Sequence, residues 1–454
     1  MEALTLMELH RKFKDKGISP VEFAQVTIDK LKADRLNSIN SWDEEALLQQ
    51  AKASQERYDM DRPLGPLDGV PLGIKDIIDT KGLITTYGCQ AYADHIPEED
   101  AFVVSALKKA GALTYIKTNT CQFALGPTGE YCLKGAVRNP HDPERYTGGS
   151  SAGSSAAVAG GILPAAIGTD SGGSIRMPAS LCGVVGMKPT FGLISNEGIM
   201  PVSLFVDTVG TLTRTIEDSA AILQAMTVFN SRDWRHSVPP VSNYLREKEQ
   251  DGGISAVMLT DLFNGVIDPE VADGCIKAVE TLHSVGAEVT RKTLPDLSEL
   301  KEAHQISMLA YAHSVHTMDM EHREDIYPQV WDRLQKGDIH STLYLQLTRK
   351  KTNLFQLLMD RLGNADCLVY PTTPVAAYRI GEGEKSIVIN GTATTPYQIT
   401  GYSTWMGSFS GLPVLSLPVG KTKAGMPFGL SLLGRRYDEG NLYRIGEKLM
   451  RAIM

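Results

Sequence analysis

The chain has 454 residues, of which 42% are hydrophobic and 22% charged, and its formal net charge is −8 at pH 7. This composition is that of a globular protein of one large or two to three ordinary domains, and it excludes low-complexity and collagen-like chains. The acidic balance, with no cluster of basic and aromatic residues, disfavours a nucleic-acid-binding protein. The N-terminal stretch is charged, and no apolar run approaches the length of a membrane span, so we expect a cytoplasmic protein without a signal peptide or membrane contact.

Cysteine spacing gives no sign of a disulfide framework or a metal centre. The six cysteines form no CxxC motif and have no histidines at ligand spacing, which predicts reduced, mostly buried thiols and no metal site. They are Cys89, Cys121, Cys132, Cys182, Cys275 and Cys367.

The first predicted elements are helices. Ser19, Pro20 and Glu22 have the spacing of an N-cap, a first helical position and a capping box, which predicts a helix over residues 19–33. A second, more charged helix is predicted over residues 43–58. We expect both helices to wrap around the outside of the molecule.

Helices and strands then alternate along the chain, which is typical of an α/β layered architecture. The long, loop-rich connection over residues 118–146 is of a kind that is usually functional. The further predicted strands are 70–74, 113–117, 162–167, 254–259, 288–293, 367–371, and the pair 411–420 and 428–433. The further predicted helices are 100–110, 216–226, 270–285, most of 297–362, and 442–450.

The sequence contains no internal repeats and no convincing linker, so we predict a single domain over residues 1–454. Its predicted parts are a helical wrapper (1–62), a core (63–227), a mainly helical and α/β insertion (228–364) and a C-terminal return to the core sheet (365–454).

One lysine stands in an unusual place, at the end of the apolar strand predicted over residues 70–74. Lys75 could be paired with Asp76 or reach solvent at the strand end. Alternatively, Lys75 is desolvated, its pKa is lowered, and it acts as a base near neutral pH. The residues alone leave both interpretations open.

Two glycine-flanked serine clusters, GGSSAGSS and GTDSGGSIR, lie within residues 147–176. The small residues of 151–162 favour either a closely packed helix or a linker, and the apolar run that follows them disfavours the linker. Ser174 stands behind glycines at the start of a predicted short helix. This arrangement is typical of a nucleophile beside backbone N–H groups that can form an oxyanion hole.

Other interpretations of these clusters fit less well. Residues 149–153 match GxSxG, which would make Ser151 the nucleophile of a hydrolase elbow, but residues 139–146 are unsuited to the central strand that this motif requires. Neither cluster ends in the GK[ST] of a phosphate-binding loop. A nucleophilic Ser174 without a nearby histidine needs another base, and lysine is the known substitute.

The segments 65–88, 148–192, 210–218, 369–374, 411–420 and 425–434 together resemble the amidase signature family. The resemblance covers most of the chain and implies a large mixed central β-sheet covered by helices on both faces. It also implies a Ser–cis-Ser–Lys triad, with Ser174 as the acyl-forming nucleophile. Ser150, after a cis peptide bond, relays the proton, and Lys75 is the base and acid. No metal or organic cofactor is implied.

The same resemblance assigns supporting roles. The backbone N–H groups of Ser171, Gly172, Gly173 and Ser174 would form the oxyanion hole, and Asp170 and Arg176 would hold the loop. Candidate substrate-pocket residues are mostly apolar or aromatic, which predicts an uncharged and partly apolar or aromatic substrate. They are Tyr87, Cys121, Gln122, Phe123, Leu125, Tyr402, Trp405 and Met406.

The predicted activity is hydrolysis of non-peptide C–N bonds in amides, including carbamates and aryl amides, with esterase or urethanase side activity. The first alternative is the glutaminase component of a tRNA-dependent amidotransferase. It is disfavoured because residues 401–406 lack the acid which that component carries about ten positions before the GLP segment. The second alternative is an inactive binding protein of the same fold. We expect a small-molecule amide as partner, no nucleic acid or membrane, and allow a homodimer.

Overall fold

The computed structural model describes residues 3–237, 242–249, 252–316 and 318–453. Within these residues, eleven strands form one mixed sheet and two further pairs form small hairpins. In chain order the strands are β1 (Ile39–Trp42), β2 (Leu72–Lys75), β3 (Ile116–Thr118), β4 (Arg138–Asn139), β5 (Asp142–Tyr146), β6 (Ala165–Asp170), β7 (Val185–Lys188), β8 (Thr208–Thr213), β9 (Ile254–Leu259), β10 (Ala287–Lys292), β11 (Cys367–Pro371), β12 (Ile387–Ile389), β13 (Thr392–Thr394), β14 (Val414–Lys421) and β15 (Pro427–Leu433).

Sixteen α-helices lie in the same described ranges, and several begin at the caps that the sequence predicts. Ser19 and Glu22 close a capping box at the second helix, which begins at Pro20. In chain order the helices are α1 (Leu6–Lys14), α2 (Pro20–Lys32), α3 (Glu44–Asp59), α4 (Phe102–Lys109), α5 (Ala152–Ala159), α6 (Arg176–Cys182), α7 (Ile216–Met226), α8 (Tyr244–Glu247), α9 (Asp261–Asn264), α10 (Pro269–Ser284), α11 (Ser298–Val315), α12 (Pro328–Gln335), α13 (Ser341–Leu362), α14 (Pro396–Thr400), α15 (Trp405–Ser410) and α16 (Glu439–Ile453).

The strand order of the large sheet is β1-β3-β2-β6-β8-β7-β14-β15-β11-β9-β10. β3, β2 and β6 run parallel to one another, whereas β8, β7, β14 and β15 pair antiparallel with their neighbours. The predicted fold class, a large mixed sheet between helical layers, is confirmed. β9 and β10, from the predicted insertion, form one edge of this same sheet, and the division of the chain at residues 62, 227 and 364 stays a prediction.

Helices cover both faces of the sheet, as the side-chain alternation of β14 shows. Leu415 and Leu417 pack under Gly446 of α16, whereas Ser416 pairs with Gly186, over which Ala179 of α6 packs. Because successive residues of a strand point to opposite faces, α6 and α16 lie on opposite sides of the sheet. α5 packs against α6 and against β2, β6 and β8, which places both short helices beside the parallel strands.

The small-residue segment is a helix, α5, and not a linker. Its glycines let it approach its neighbours closely, since a Cβ on Gly153 would lie 2.2 Å from the Ser38 carbonyl oxygen. The strand that follows it spans Ala165–Asp170, three residues later than the predicted 162–167. The strand therefore ends in polar Thr169 and Asp170, both buried, and delivers them to the edge of the sheet where the glycine-serine segments lie.

Candidate active site

The candidate site lies where two parallel strands end at the same edge of the sheet. Lys75 is the last residue of β2, and Asp170 is the last residue of β6. The carboxyl ends of parallel neighbours meet at one edge, which is where ligands bind in open α/β sheets. Ser150 precedes α5 and Ser174 precedes α6, so both serines come from the loops that leave this edge.

Lys75 is fully buried and contacts hydroxyl groups. Its Nζ donates to Ser150 Oγ at 2.7 Å and to Thr169 Oγ1 at 2.8 Å. Burial lowers the pKa of Lys75 to about 7, so a substantial fraction of the amine is unprotonated at neutral pH. The other interpretation of Lys75, pairing with Asp76, is not what the structure places here, since the Asp76 carboxylate lies 3.9 Å from Lys117 Nζ instead.

Ser150 follows the cis peptide bond that the family resemblance implies, between Gly149 and Ser150. The Ser150 carbonyl accepts from Thr120 Oγ1 at 2.9 Å, which fixes the residue at its backbone. Gly149 tolerates no side chain, because a Cβ there would lie 2.4 Å from the Gly126 carbonyl oxygen. The Ser150 hydroxyl is therefore held against Lys75 in a tightly packed turn.

Ser174 is 9% exposed and lines a cavity, and its hydroxyl makes no hydrogen bond to any described residue. Its carbonyl accepts from the Ser151 backbone N–H at 3.2 Å, which ties the two serine segments together. Ser151 itself is fully buried, and its Oγ donates to the Thr169 carbonyl at 3.2 Å. Of the serines compared here, Ser174 has the accessible hydroxyl that a nucleophile needs, and Ser151 does not.

The loop between β6 and α6 carries the predicted oxyanion hole. Gly173 has φ +129°, and its N–H donates to Asp170 Oδ1 at 2.8 Å, so this amide is already occupied. The N–H groups of Ser171, Gly172 and Ser174 have no partner among the described residues. The predicted four-amide hole is therefore reduced to three available donors.

Asp170 and Arg176 form a fully buried, bidentate ion pair with N···O distances of 2.8 and 2.9 Å. Burial raises the pKa of Asp170, but attraction and hydrogen bonds from Arg176 outweigh it and hold the pKa at about 2. Arg176 also donates to the Thr404 carbonyl at 2.6 Å and to Ser408 Oγ at 2.7 Å. The pair clamps the glycine loop to α15, which fits the scaffold role predicted for both residues.

The cavity above Ser174 has a volume of about 460 Å³, an apolar inner wall and a charged rim. Its inner wall includes Leu125, Met177, Val202, Met308 and Trp405. Its charged rim comprises Asp332, Arg333, Lys336 and Glu384.

Two of the eight predicted pocket residues, Leu125 and Trp405, line this cavity. Cys121 and Phe123 are fully buried in the core, where the backbone of Phe123 turns through a positive φ. Gln122 instead holds the segment after α11, since its amide donates to the Asp325 carbonyl at 2.7 Å. The lining also lacks Tyr87, Tyr402 and Met406.

The charged rim and His304 were missed by sequence reasoning. They come from α11, α12 and the loop before β12, which lie far from the glycine-serine segments in the chain. No local motif marks them, and only the fold brings them to Ser174. Among the described residues no group of histidine, cysteine, aspartate or glutamate could hold a metal ion, and no helix is long and apolar enough to cross a membrane.

The sequence matches the family model described as Amidase over residues 22–443. The chain belongs to the amidase family, and the resemblance to amidase signature enzymes is confirmed. Two curated relatives are the amidase-type components of glutamyl-tRNA(Gln) amidotransferases. That of Exiguobacterium sp. is 32% identical over 98% of this chain and 96% of its own length, and that of Myxococcus xanthus is 32% identical over 97% and 96%.

Solved structures of similar fold cover nearly the whole chain. A structure of an amidase superposes with a TM-score of 0.89 at 32% identity, covering 99% of each chain. An inhibitor-bound structure, described as a vestigial complex that reveals the origins of an s-triazine catabolic enzyme, has a TM-score of 0.93 at 29% identity, covering 99% and 98%. The same component of the Thermotoga maritima glutamyl-tRNA(Gln) amidotransferase has a TM-score of 0.80 at 27% identity, covering 98% and 93%.

The expectation about partners is wrong in the light of these relatives. A partner set limited to a small molecule, without nucleic acid, conflicts with curated relatives that are components of an amidotransferase named for a tRNA. The expectation rested on the net charge of the chain, which reports on non-specific attraction to polyanions and not on membership of a larger assembly.

Proposed function

We propose that the chain releases ammonia from an amino-acid carboxamide of the glutamine type through an acyl-enzyme on Ser174, as the glutaminase component of an amidotransferase would. The observation that carries this proposal is the charged rim of the cavity above Ser174. The names of the curated relatives support the same choice.

The rim offers both signs of charge within one cavity. Arg333 and Lys336 are cationic, and Asp332 and Glu384 are anionic. A free amino-acid amide carries a carboxylate and an ammonium, which such a rim can hold together. This weakens the argument from residues 401–406, because the acid that is absent from that segment is available elsewhere on the same cavity.

The chemistry follows from the order of the three polar side chains. Ser174 Oγ attacks the carboxamide carbon while its proton passes to Ser150, and Ser150 gives its own proton to the unprotonated Lys75. The N–H groups of the 171–174 loop stabilise the oxyanion of the tetrahedral intermediate. When the C–N bond breaks, Lys75 returns the proton through Ser150 to the leaving ammonia. Water then attacks the acyl ester by the same route, giving a carboxylate and free Ser174.

A second candidate is a hydrolase of apolar amides that acts on its own. The apolar inner wall of the cavity favours it, since that wall suits an alkyl or aryl acyl group next to Ser174. The higher TM-scores of 0.93 and 0.89, against 0.80 for the Thermotoga maritima protein, point the same way.

The test compares ammonia release by the purified full chain from L-glutamine, hexanamide and benzamide. The proposal expects kcat/KM for glutamine to exceed that for either apolar amide by at least about tenfold, which is the effect of about 1.4 kcal/mol. The reverse order would establish the second candidate instead. Ser174→Ala should abolish release, and Ser151→Ala is the matched control, because Ser151 is buried and its hydroxyl faces a carbonyl.

Labelling with a fluorophosphonate separates a silent enzyme from an inactive fold. Adduct on Ser174 without ammonia release from any amide would indicate that the site is competent and needs partner proteins. No adduct and no release would indicate the inactive binding protein.

A further inference from the structure

His304 reaches the glycine loop from a distant part of the chain. It lies on α11, is 3% exposed, and its Nε2 lies 2.9 Å from the Ser171 carbonyl oxygen. A carbonyl only accepts, so Nε2 carries the proton and the imidazole donates it. Nδ1 is buried and has no hydrogen-bond partner in the part of the chain that the structure describes. The whole polar function of this side chain is therefore the bond to Ser171.

The ring of His304 is fixed by packing and fits closely over the loop. Its centroid lies 5.4 Å from that of Phe409 and 6.2 Å from that of Trp405. A Cβ on Gly172 would lie 3.3 Å from His304 Cε1, so the close approach depends on glycine at this position. Burial lowers the pKa of His304 to about 4, and the ring remains a neutral donor throughout the neutral range.

The next carbonyl of the loop is held in the same way from a second element. Thr404 Oγ1 donates to the Gly172 carbonyl at 2.7 Å, and Arg176 in turn holds the Thr404 carbonyl. Two successive peptide groups of the loop are thus fixed through their oxygens by side chains outside the glycine-serine segment.

In a trans peptide group the C=O and N–H bonds point in opposite directions, so fixing one fixes the other. The peptide group of the Ser171 carbonyl is the one that carries the Gly172 N–H, which is an available donor of the predicted oxyanion hole. We infer that His304 is a positioning residue, which orients the Gly172 amide for the oxyanion by holding the Ser171 carbonyl. This inference rests on the proposed nucleophilic role of Ser174.

The test measures the rate constant of fluorophosphonate labelling of Ser174 in the full chain, which needs no knowledge of the substrate. In this reaction Ser174 Oγ bonds to phosphorus, fluoride leaves, and the hydroxyl proton passes through Ser150 to Lys75. The charge that develops on the phosphoryl oxygen requires the same loop amides. We expect His304→Leu to slow labelling about 10- to 100-fold, less than or equal to the loss of one oxyanion donor.

His304→Gln retains an N–H donor near the position of Nε2, and we expect it to label within about threefold of wild type. Thr404→Val removes the neighbouring donor at constant shape, and it should also slow labelling even if His304→Leu does not fold. His313 provides the matched control, because it lies on the same helix and contacts the Leu334 carbonyl at 3.1 Å, away from Ser174. His313→Leu should label at the wild-type rate.

With a substrate in hand, His304→Leu should lower kcat while KM changes less than about twofold, since the missing interaction belongs to the transition state. Wild-type labelling rates in both His304→Leu and Thr404→Val would overturn the inference. So would a His304→Gln variant as slow as His304→Leu, which would assign the effect to packing. Absence of any Ser174 adduct in the wild type would overturn the proposed function itself.

Discussion

Lys75 should reduce the stability of the protein while it serves catalysis, and Lys75→Met tests both effects. The pKa of Lys75 falls from 10.5 to about 7 on folding. At pH 7.5 this displacement costs the folded state about 4 kcal/mol relative to the unfolded chain. Methionine avoids this cost but loses the bonds to Ser150 and Thr169, each worth about 1 kcal/mol. The net expectation is a gain of about 2 kcal/mol in the free energy of unfolding.

The sign of the pH dependence makes this prediction specific. Between pH 7 and 10.5 the unfolded wild-type chain binds a proton on Lys75 that the folded chain does not, so wild-type stability falls as the pH falls across this window. The advantage of Lys75→Met should therefore grow from pH 10 to pH 7 and stay level below it.

Thermal unfolding of both proteins at a series of pH values measures this advantage, and fluorophosphonate labelling should fall about 100- to 10,000-fold in the variant. A variant no more stable than wild type at any pH would refute the claim that Lys75 is held in a desolvated, base-competent state.

Three further predictions use the same site. Ammonia release should fall about tenfold per pH unit below pH 7, because Lys75 must be unprotonated; a pH–rate profile that is flat from 5.5 to 9 would contradict this. Arg176→Met should lower the free energy of unfolding by about 3–5 kcal/mol in urea denaturation, since it leaves Asp170 buried and unpaired; a loss below about 1 kcal/mol would contradict the clamp. Arg333→Met should raise KM for glutamine at least about tenfold and leave KM for hexanamide nearly unchanged, and equal effects on both amides would exclude a charge contact.

Elements with strong local signals were predictable from the sequence. The caps at Ser19 and Glu22 placed α2 within one residue of its observed ends. The third strand of the parallel group was placed three residues too early, because its hydrophobic run ends before the strand does. Thr169 and Asp170 are polar strand residues that are buried for the sake of the site. Strand β1 was not predicted, since it is a four-residue edge strand that contains Asn40 and Ser41.

The candidate site divides in the same way. Lys75, Ser150 and Ser174 could be proposed because each lies in a contiguous motif that resembles a known family. His304 and Arg333 could not, because each is a single residue on a helix whose partner segment lies more than a hundred positions away. Hydrophobic periodicity tells that such a helix packs against something, and it does not tell which cavity its polar side chains reach.

A lowered lysine pKa does not by itself identify the base in this protein. Burial lowers the pKa of Lys117 to about 8 and that of Lys188 to about 7, as it lowers the pKa of Lys75. Lys117 and Lys188 both donate to backbone carbonyls, which hold no proton to give up at neutral pH. Lys75 donates to Ser150 Oγ, a hydroxyl that can pass a proton in either direction. Desolvation is thus common to all three amines, and the hydroxyl contact singles out Lys75 as the proposed base.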